Sequence, residues 1–299
     1  MNILITGAEG FIGSNLADRL KDKKHKLYLC VSKRSSFENL KNVFVVCKGR
    51  LEDNDLNILT KNIDVIVHCA GLAHNINSFK NYSTYFSVNC LLTVKLANSA
   101  IKNKVKKFIF LSTAGIHSDF ISNGITITEG THVNPRSAYT KSKHIAEESL
   151  VNISKDTNMD LVILRPPAVY GKGVKGNLKI LSFFIDNKIP LPFKSFDINK
   201  RSYISITNLI DLISLIIDYR KKVSGVFLVA NRESLSTMEL INYIASDYGK
   251  KPILFKFPIL LLKLFSVMMG KIELTRRLLN SFELDTSAVR KQFEWNPRK

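Results

Sequence analysis

Apolar residues fall into short unbroken runs along the first half of the chain, and between the runs they recur every three to four positions. The runs at 2–6, 26–31, 43–46, 64–68, 107–111 and 161–164 predict buried strands. Between them, residues 11–21 carry Phe11, Ile12, Leu16 and Leu20 at helical spacing. Residues 85–103 carry Val88, Leu92, Leu96 and Ala100 on one face, and residues 138–154 predict a further helix. Strands alternating with helices imply parallel βαβ units in an α/β fold, a Rossmann-like doubly wound sheet. The rhythm changes after Arg165-Pro166-Pro167. Prolines follow at Pro190 and Pro192, and helices dominate after Thr207. We expect the sheet and its covering helices to occupy 1–165. Residues 166–299 are expected to be mainly a smaller, helical, substrate-binding lobe at the carboxyl edge of the sheet, in one compact unit with some segments returning to the sheet.

Composition narrows the classes. The chain has 299 residues, 45% hydrophobic and 23% charged, which is ample material for a core. The N-terminal apolar run has no basic lead and stops at Gly7, so no signal peptide is expected and a cytoplasmic location is. Cys30, Cys47, Cys69 and Cys90 have no paired spacing, which predicts buried free thiols and no metal. The net charge of +19 lies on lysines spread through the chain, without the basic-aromatic interleaving of nucleic-acid binders. No nucleic-acid partner is expected, only steering of anionic substrates. The apolar stretch 255–270 is shorter than the roughly 20 residues that span a bilayer, so no stable membrane insertion is expected. It reads as a buried helix, with a helix lying on a membrane as the alternative for so basic a protein.

Gly7-Ala8-Glu9-Gly10-Phe11-Ile12-Gly13 joins the first strand to the first helix. Glycines there permit a tight turn and close approach of a pyrophosphate, and the helix start offers free amides to the anion. Gly7, Gly10, Phe11, Ile12 and Gly13 are therefore candidate cofactor contacts. NAD sites usually carry an acid about 20 residues on, at the end of the second strand. Here that strand runs into Ser32-Lys33-Arg34, with no acid and two cations suited to a 2′-phosphate. The pattern predicts NADP(H) as preferred cofactor, with NAD(H) as the alternative.

Tyr139 and Lys143 stand four apart, on one face of the helix over 138–154. A free tyrosine has a pKa of about 10, which a neighbouring ammonium and an oxidised nicotinamide both lower. Tyr139 can then exchange a proton with a substrate oxygen while hydride moves at the same carbon. Lys143 can also hold the nicotinamide ribose. Thr113 or Ser112, where the fifth strand ends, would complete the set by hydrogen-bonding the reacting oxygen.

Taken together these segments resemble the extended short-chain dehydrogenase/reductases, the NAD-dependent epimerase/dehydratase group. The likeness extends along the whole sequence through His68-Cys69-Ala70-Gly71-Leu72, Asn89, Ser112-Thr113-Ala114, Arg165-Pro166-Pro167, Arg201-Ser202-Tyr203-Ile204 and Phe293-Glu294-Trp295. Within the group the chain is most similar to bacterial enzymes acting at C4 of UDP-N-acetyl-hexosamines, through Val174-Lys175-Gly176-Asn177 and Leu235-Ser236-Thr237-Met238-Glu239-Leu240. The resemblance implies Thr113, Tyr139 and Lys143 as catalytic residues. It implies Leu51, Ala70, Gly71, Asn89 and Pro166 as further cofactor contacts. Asn177 would contact the UDP part, Arg201 the diphosphate, and Arg277 a second phosphate. A homodimer is implied in the same way.

Two departures bear on the reaction. Arg50 stands where the family's adenine-contacting Asp usually follows the third strand. Thr113 is followed by Ala114-Gly115 rather than the Asp-Glu pair of the 4,6-dehydratases, which argues against elimination. The expected reaction is NADPH-dependent reduction of the C4 keto group of a UDP-2-acetamido-4-keto-6-deoxyhexose for surface polysaccharide. The alternatives are a UDP-N-acetylglucosamine/UDP-glucose 4-epimerase with retained NAD and, from another class, a non-catalytic dinucleotide-binding regulator.

Overall fold

The computed structural model describes residues 1–31, 37, 40–73, 82–117, 125–174, 176–197, 199–247, 249–269 and 279–298. The side chains of Asn177, Asp247, Leu262, Lys263 and Phe265 are not among those described. Seven strands of the described residues pair in parallel in one sheet. They are β1 (Asn2–Thr6), β2 (Lys26–Val31), β3 (Val43–Lys48), β4 (Val65–His68), β5 (Lys107–Leu111), β7 (Asp160–Arg165) and β10 (Gly225–Leu228), in the order β3-β2-β1-β4-β5-β7-β10. This is the doubly wound Rossmann-like sheet that the alternating pattern predicts.

Side-chain alternation divides the apolar runs between two cores. Ile3, Ile5, Val65, Val67, Ile109, Leu111, Val162 and Leu164 face one side with Leu16 and Leu20 of helix α1 (Phe11–Leu20). Leu4, Ile66, Phe108, Phe110 and Ile163 face the other. There they meet Leu92, Leu96 and Ala100 of α4 (Leu92–Lys102) and Ala146 and Leu150 of α5 (Ala138–Ser154). A second layer helix, α7 (Ile206–Asp218), packs on α1 and buries Leu209, Ile210, Leu212, Ile213, Ile216 and Ile217. α7 and the β10 strand after it lie in the second part of the sequence, yet they complete one face and one edge of the sheet. The closing helix Ser287–Phe293 seals that edge, with Phe293 against Tyr219 and Phe227.

The smaller lobe is built on α6 (Asn177–Asp186) and α8 (Thr237–Asp247), which share a core of Ile185, Leu240, Ile241 and Ile244. Two short parallel pairs stitch it to the body: β8 (Ala168–Tyr170) with β9 (Tyr203–Ser205), and β6 (Thr126–Ile127) with β11 (Glu283–Leu284).

Two local features depart from the periodicity. The helix expected over 85–103 is α3 (Tyr82–Phe86), then a widened π turn Ser87–Leu91, then α4. The widened turn accommodates an extra residue and aims Asn89 into the core, where it is fully buried. The stretch 255–270 forms α9 (Ile259–Met268), but it is not the buried helix that its apolar content suggests. Leu260, Leu261, Leu264, Val267 and Met268 are exposed, because the helix sits on the outside of the lobe. No helix of the described residues is long and apolar enough to cross a membrane.

β7 ends in a buried ion pair. The Arg165 guanidinium grips Glu147 of α5, with Nε 3.1 Å from both carboxylate oxygens and Nη2 2.6 Å from Oε2. Its Nη1 lies 3.1 Å from His117 Nε2. Burial, and then the Arg165 charge, hold His117 down at about 4, so it is neutral and accepts from the guanidinium. Because removing one partner strands a buried charge, Glu147→Ala is expected to destabilise the protein by about 3–5 kcal/mol. Urea unfolding of the two proteins checks this, and a loss under about 1 kcal/mol would mean the pair is not buried as described.

Candidate active site

The site begins with a close approach between backbones. Gly7 follows β1 with φ +67°, and a Cβ there would sit 2.8 Å from the Ala70 backbone. A Cβ on Gly13 would overlap the Gly7 carbonyl, so the first turn of α1 rests directly on the glycine turn. The Gly10 amide donates to the Gly7 carbonyl at 2.9 Å, and the Ala8 amide donates to the Cys30 carbonyl at 3.1 Å. The second contact holds the turn against the end of β2. The first amides of α1 have no acceptor within the helix, and Gly10 supplies no capping side chain. Phe11 and Ile12 lean on the sheet core. A glycine cradle of this shape, open at a helix start, fits a dinucleotide pyrophosphate.

A buried hydrogen-bond chain ties this turn to α5, the helix that carries Tyr139 and Lys143. Thr6 Oγ1 lies 2.7 Å from His68 Nδ1, and His68 Nε2 lies 2.9 Å from Thr93 Oγ1. Thr93 donates to the Asn89 carbonyl at 2.8 Å, so it accepts from Nε2–H and Nδ1 accepts from Thr6. Burial, with a lesser push from Lys143, lowers His68 to about 3, so the ring stays neutral. Asn89 then spans the gap. Its Oδ1 accepts from the Leu72 amide at 2.7 Å, and its Nδ2 donates to the Leu72 carbonyl and to Ser142 Oγ. Gly71 lies beside both Asn89 and Lys143, since a Cβ there would sit 3.0 Å from Asn89 Oδ1 and 3.5 Å from Lys143 Nζ. Ala70 completes that segment, its amide donating to Thr6 Oγ1.

α5 starts with a reciprocal cap, in which Ser137 and Thr140 each accept from the other's backbone amide. One turn in, Lys143 Nζ donates to the Leu111 carbonyl at 2.8 Å and lies 4.4 Å over the Phe110 ring. Burial lowers Lys143 to about 8. Burial raises Tyr139 to about 12, and the Thr113 hydroxyl, hydrogen-bonded to Tyr139, pulls the other way. Tyr85 of α3 stands edge-on to the Tyr139 ring, with centroids 6.4 Å apart. The structure thus distinguishes the two hydroxyls at the end of β5. Thr113 faces Tyr139, whereas Ser112 Oγ is buried without a hydrogen-bond partner. The Pro166 carbonyl accepts from the Ala114 amide at 2.8 Å and so fixes the loop that carries Thr113.

The residues read from sequence therefore fall into two groups. Gly7, Gly10, Phe11, Ile12, Gly13, Ala70, Gly71, Asn89, Thr113, Tyr139, Lys143 and Pro166 gather around the carboxyl ends of β1, β4, β5 and β7. Leu51 lies at the edge of this region, buried in the turn after β3, beside an exposed Arg50 that pairs with Glu52 at 3.5 Å. Arg201 belongs to the smaller lobe. Its backbone bridges Leu235 and Phe282, and its guanidinium donates to the Asn280 carbonyl at 3.0 Å. Asn177 opens α6, but its side chain is outside the description, and Ser32, Lys33, Arg34 and Arg277 lie outside the described residues. Sequence reasoning missed the Thr6–His68–Thr93 chain and Tyr85. A polar His closing the Val65–His68 run was the available signal for the first; Tyr85 had none.

A Rossmann-like sheet with a glycine cradle and a hydroxyl–Tyr–Lys cluster at one edge defines a dinucleotide-binding protein equipped for proton transfer. Residues 3–230 match the model of the NAD dependent epimerase/dehydratase family, and the chain belongs to that family. It is 36% identical to a UDP-glucose 4-epimerase of Vibrio cholerae, over 99% of this chain and 90% of that protein. It is 25% identical to a dTDP-4-dehydro-6-deoxyglucose reductase of Escherichia coli, over 86% and 85%. Among solved structures, the UDP-glucuronic acid 4-epimerase of Bacillus cereus in complex with NAD shares the fold. Its TM-score is 0.79 at 21% identity, covering 100% of this chain and 94% of that one.

Two outcomes follow from the cluster. Tyr139→Phe removes the transferable proton and should cut turnover by about 10²–10⁴ while leaving cofactor affinity within about twofold; near-normal turnover would remove Tyr139 from the chemistry. Lys143 is charged below about pH 8 and loses its proton as pH rises through that value. Cofactor affinity should therefore be level from pH 6 to 7.5 and weaken above about 8, and Lys143→Arg should abolish the dependence because arginine keeps its charge. A flat binding profile in the native protein would contradict this role.

Proposed function

We propose that this enzyme reduces the C4 keto group of a UDP-2-acetamido-4-keto-6-deoxyhexose with NADPH. The observation that carries the choice of cofactor is the charge where β2 ends. The Cys30 carbonyl at that end is bonded to the glycine turn, and the Val31 carbonyl accepts from the Gly49 amide at 3.0 Å. The chain leaving this point reads Ser32-Lys33-Arg34, and Arg50 follows Gly49. Arg50 is paired with Glu52, but Ser32-Lys33-Arg34 brings two cations and no carboxylate to the end of β2, a pattern that favours a ribose 2′-phosphate over free hydroxyls. A cofactor with that preference suits an enzyme that consumes the reduced form and releases the oxidised one.

The residues then divide the work. When bound, NADPH supplies a hydride to the C4 carbon. Thr113 holds the C4 oxygen by a hydrogen bond, and Tyr139 gives that oxygen its proton as the carbonyl π bond breaks. The new C–H and O–H bonds leave a phenolate on Tyr139. The Lys143 ammonium, four residues along the same helix face, stabilises that anion, which recovers its proton from solvent after product leaves. Arg201, and Arg277 with it, are suited to the diphosphate, and Asn177 to the UDP part.

The second reading is a 4-epimerase that retains NAD, favoured by the 36% identity to the Vibrio cholerae UDP-glucose 4-epimerase over nearly the whole chain. One experiment separates them. The protein is mixed with NADPH and a UDP-4-keto-6-deoxy-N-acetylhexosamine, and dissociation constants for NADPH and NADH are measured alongside. Loss of NADPH many times the enzyme concentration, with NADPH bound about tenfold or more tightly than NADH, supports the reductase. No loss, with NADH bound as tightly, transfers the assignment to the epimerase, tested next on UDP-N-acetylglucosamine.

A further inference from the structure

α9 carries an apolar face that is exposed among the described residues. Leu260, Leu261, Leu264, Val267 and Met268 follow helical spacing on one side, and Leu260 and Met268 are 78% and 77% exposed. Ser266, on the opposite side, is buried. The surface continues into the strand-like segment before the helix. Leu254 is turned into the lobe core, while its neighbours Ile253 and Phe255 point outward and are exposed. This root is firmly held, since the Leu191 amide donates to the Ile253 carbonyl at 2.8 Å and the Phe255 amide to the Leu191 carbonyl at 3.0 Å. A contiguous exposed apolar patch rimmed by polar groups marks an interaction surface.

The charge around the patch selects the partner. Lys250 pairs with Asp186, and between Lys250 and Glu273 the sequence has Lys251, Lys256, Lys263 and Lys271 and no Asp or Glu. Lys251 and Lys256 are exposed next to Ile253 and Phe255. The whole chain carries +19. A second copy seated on this face would bring two lysine-rich surfaces together, which like-charge repulsion opposes. An anionic bilayer satisfies both halves of the pattern, apolar side chains entering the headgroup boundary and lysines meeting lipid phosphates. At 10 residues, about 15 Å, the helix is half the length needed to cross the hydrocarbon core.

We propose that α9 with the 253–256 segment is a reversible docking surface for a membrane carrying anionic lipids. The inference does not depend on which sugar is turned over.

Sedimentation of the full chain with lipid vesicles tests it. Binding to phosphatidylcholine vesicles containing phosphatidylglycerol should exceed binding to phosphatidylcholine alone by about tenfold or more, and should weaken strongly near 1 M salt, where the screening length is about 3 Å. Leu260→Glu with Leu264→Glu should lower binding by about tenfold or more with soluble turnover unchanged. Lys251→Glu with Lys256→Glu, which leaves the apolar face intact, should remove most of the preference for anionic lipid. Absence of vesicle binding, equal binding to both compositions, or undiminished binding by the leucine variant would each overturn the proposal. If the leucine variant instead dissociates a dimer and the native protein ignores vesicles, the face joins two copies of the chain.

Discussion

Where β1 meets α1, two backbones approach so closely that no side chain fits between them. Gly7 faces Ala70, Gly13 lies on the Gly7 carbonyl, and the distances leave no room for a Cβ at either position. Every other part of the site takes its position from this contact. It puts the start of α1 at the centre of the sheet's carboxyl edge. It brings the end of β4 beside the turn, so that residues 69–72 become a second wall of the same cleft. Thr6 and His68, the last residues of neighbouring strands in register, then face each other and start the buried hydrogen-bond chain. Each donor in that chain has one acceptor and each acceptor one donor. A neutral ring is the only protonation state of His68 that satisfies them.

The chain ends at Asn89, and through Asn89 it reaches Ser142 on the helix that carries Tyr139 and Lys143. The π turn supplies this link. A regular helix would turn Asn89 out of the position from which it clasps both Leu72 and Ser142. The clasp sets the spacing between the wall at Gly71 and the Lys143 ammonium. On its other side, α5 is fixed by Glu147 against Arg165, and Arg165 immediately precedes the Pro166 carbonyl that holds the Thr113 loop. α5 is thus braced from both sides by buried polar contacts, each of which costs stability if left half-made.

Burial sets the electrostatics. It raises Tyr139 to about 12 and lowers Lys143 to about 8, moving the two groups toward neutrality. The resting cluster is therefore nearly uncharged on the tyrosine side, with the Thr113 hydroxyl as the nearest compensation. A cationic ring beside Tyr139 and a substrate oxygen beside Thr113 would reverse that balance.

Much of this was legible in the residues alone, and the boundary has a physical cause. The parallel sheet followed from apolar runs alternating with helical spacing, because a strand buried on both faces has no polar alternation to obscure it. The glycine turn and the Tyr139–Lys143 pair followed from short spacings within one turn or one helix, where chain geometry leaves few alternatives. Tertiary structure alone decided what depends on long-range contact. It brought Gly225–Leu228 back to the edge of the sheet, and it widened the helix at Asn89. It also turned the apolar face of α9 outward, although its composition reads as core. Local sequence determines what an element is made of, but which of its faces is covered depends on neighbours distant in the chain.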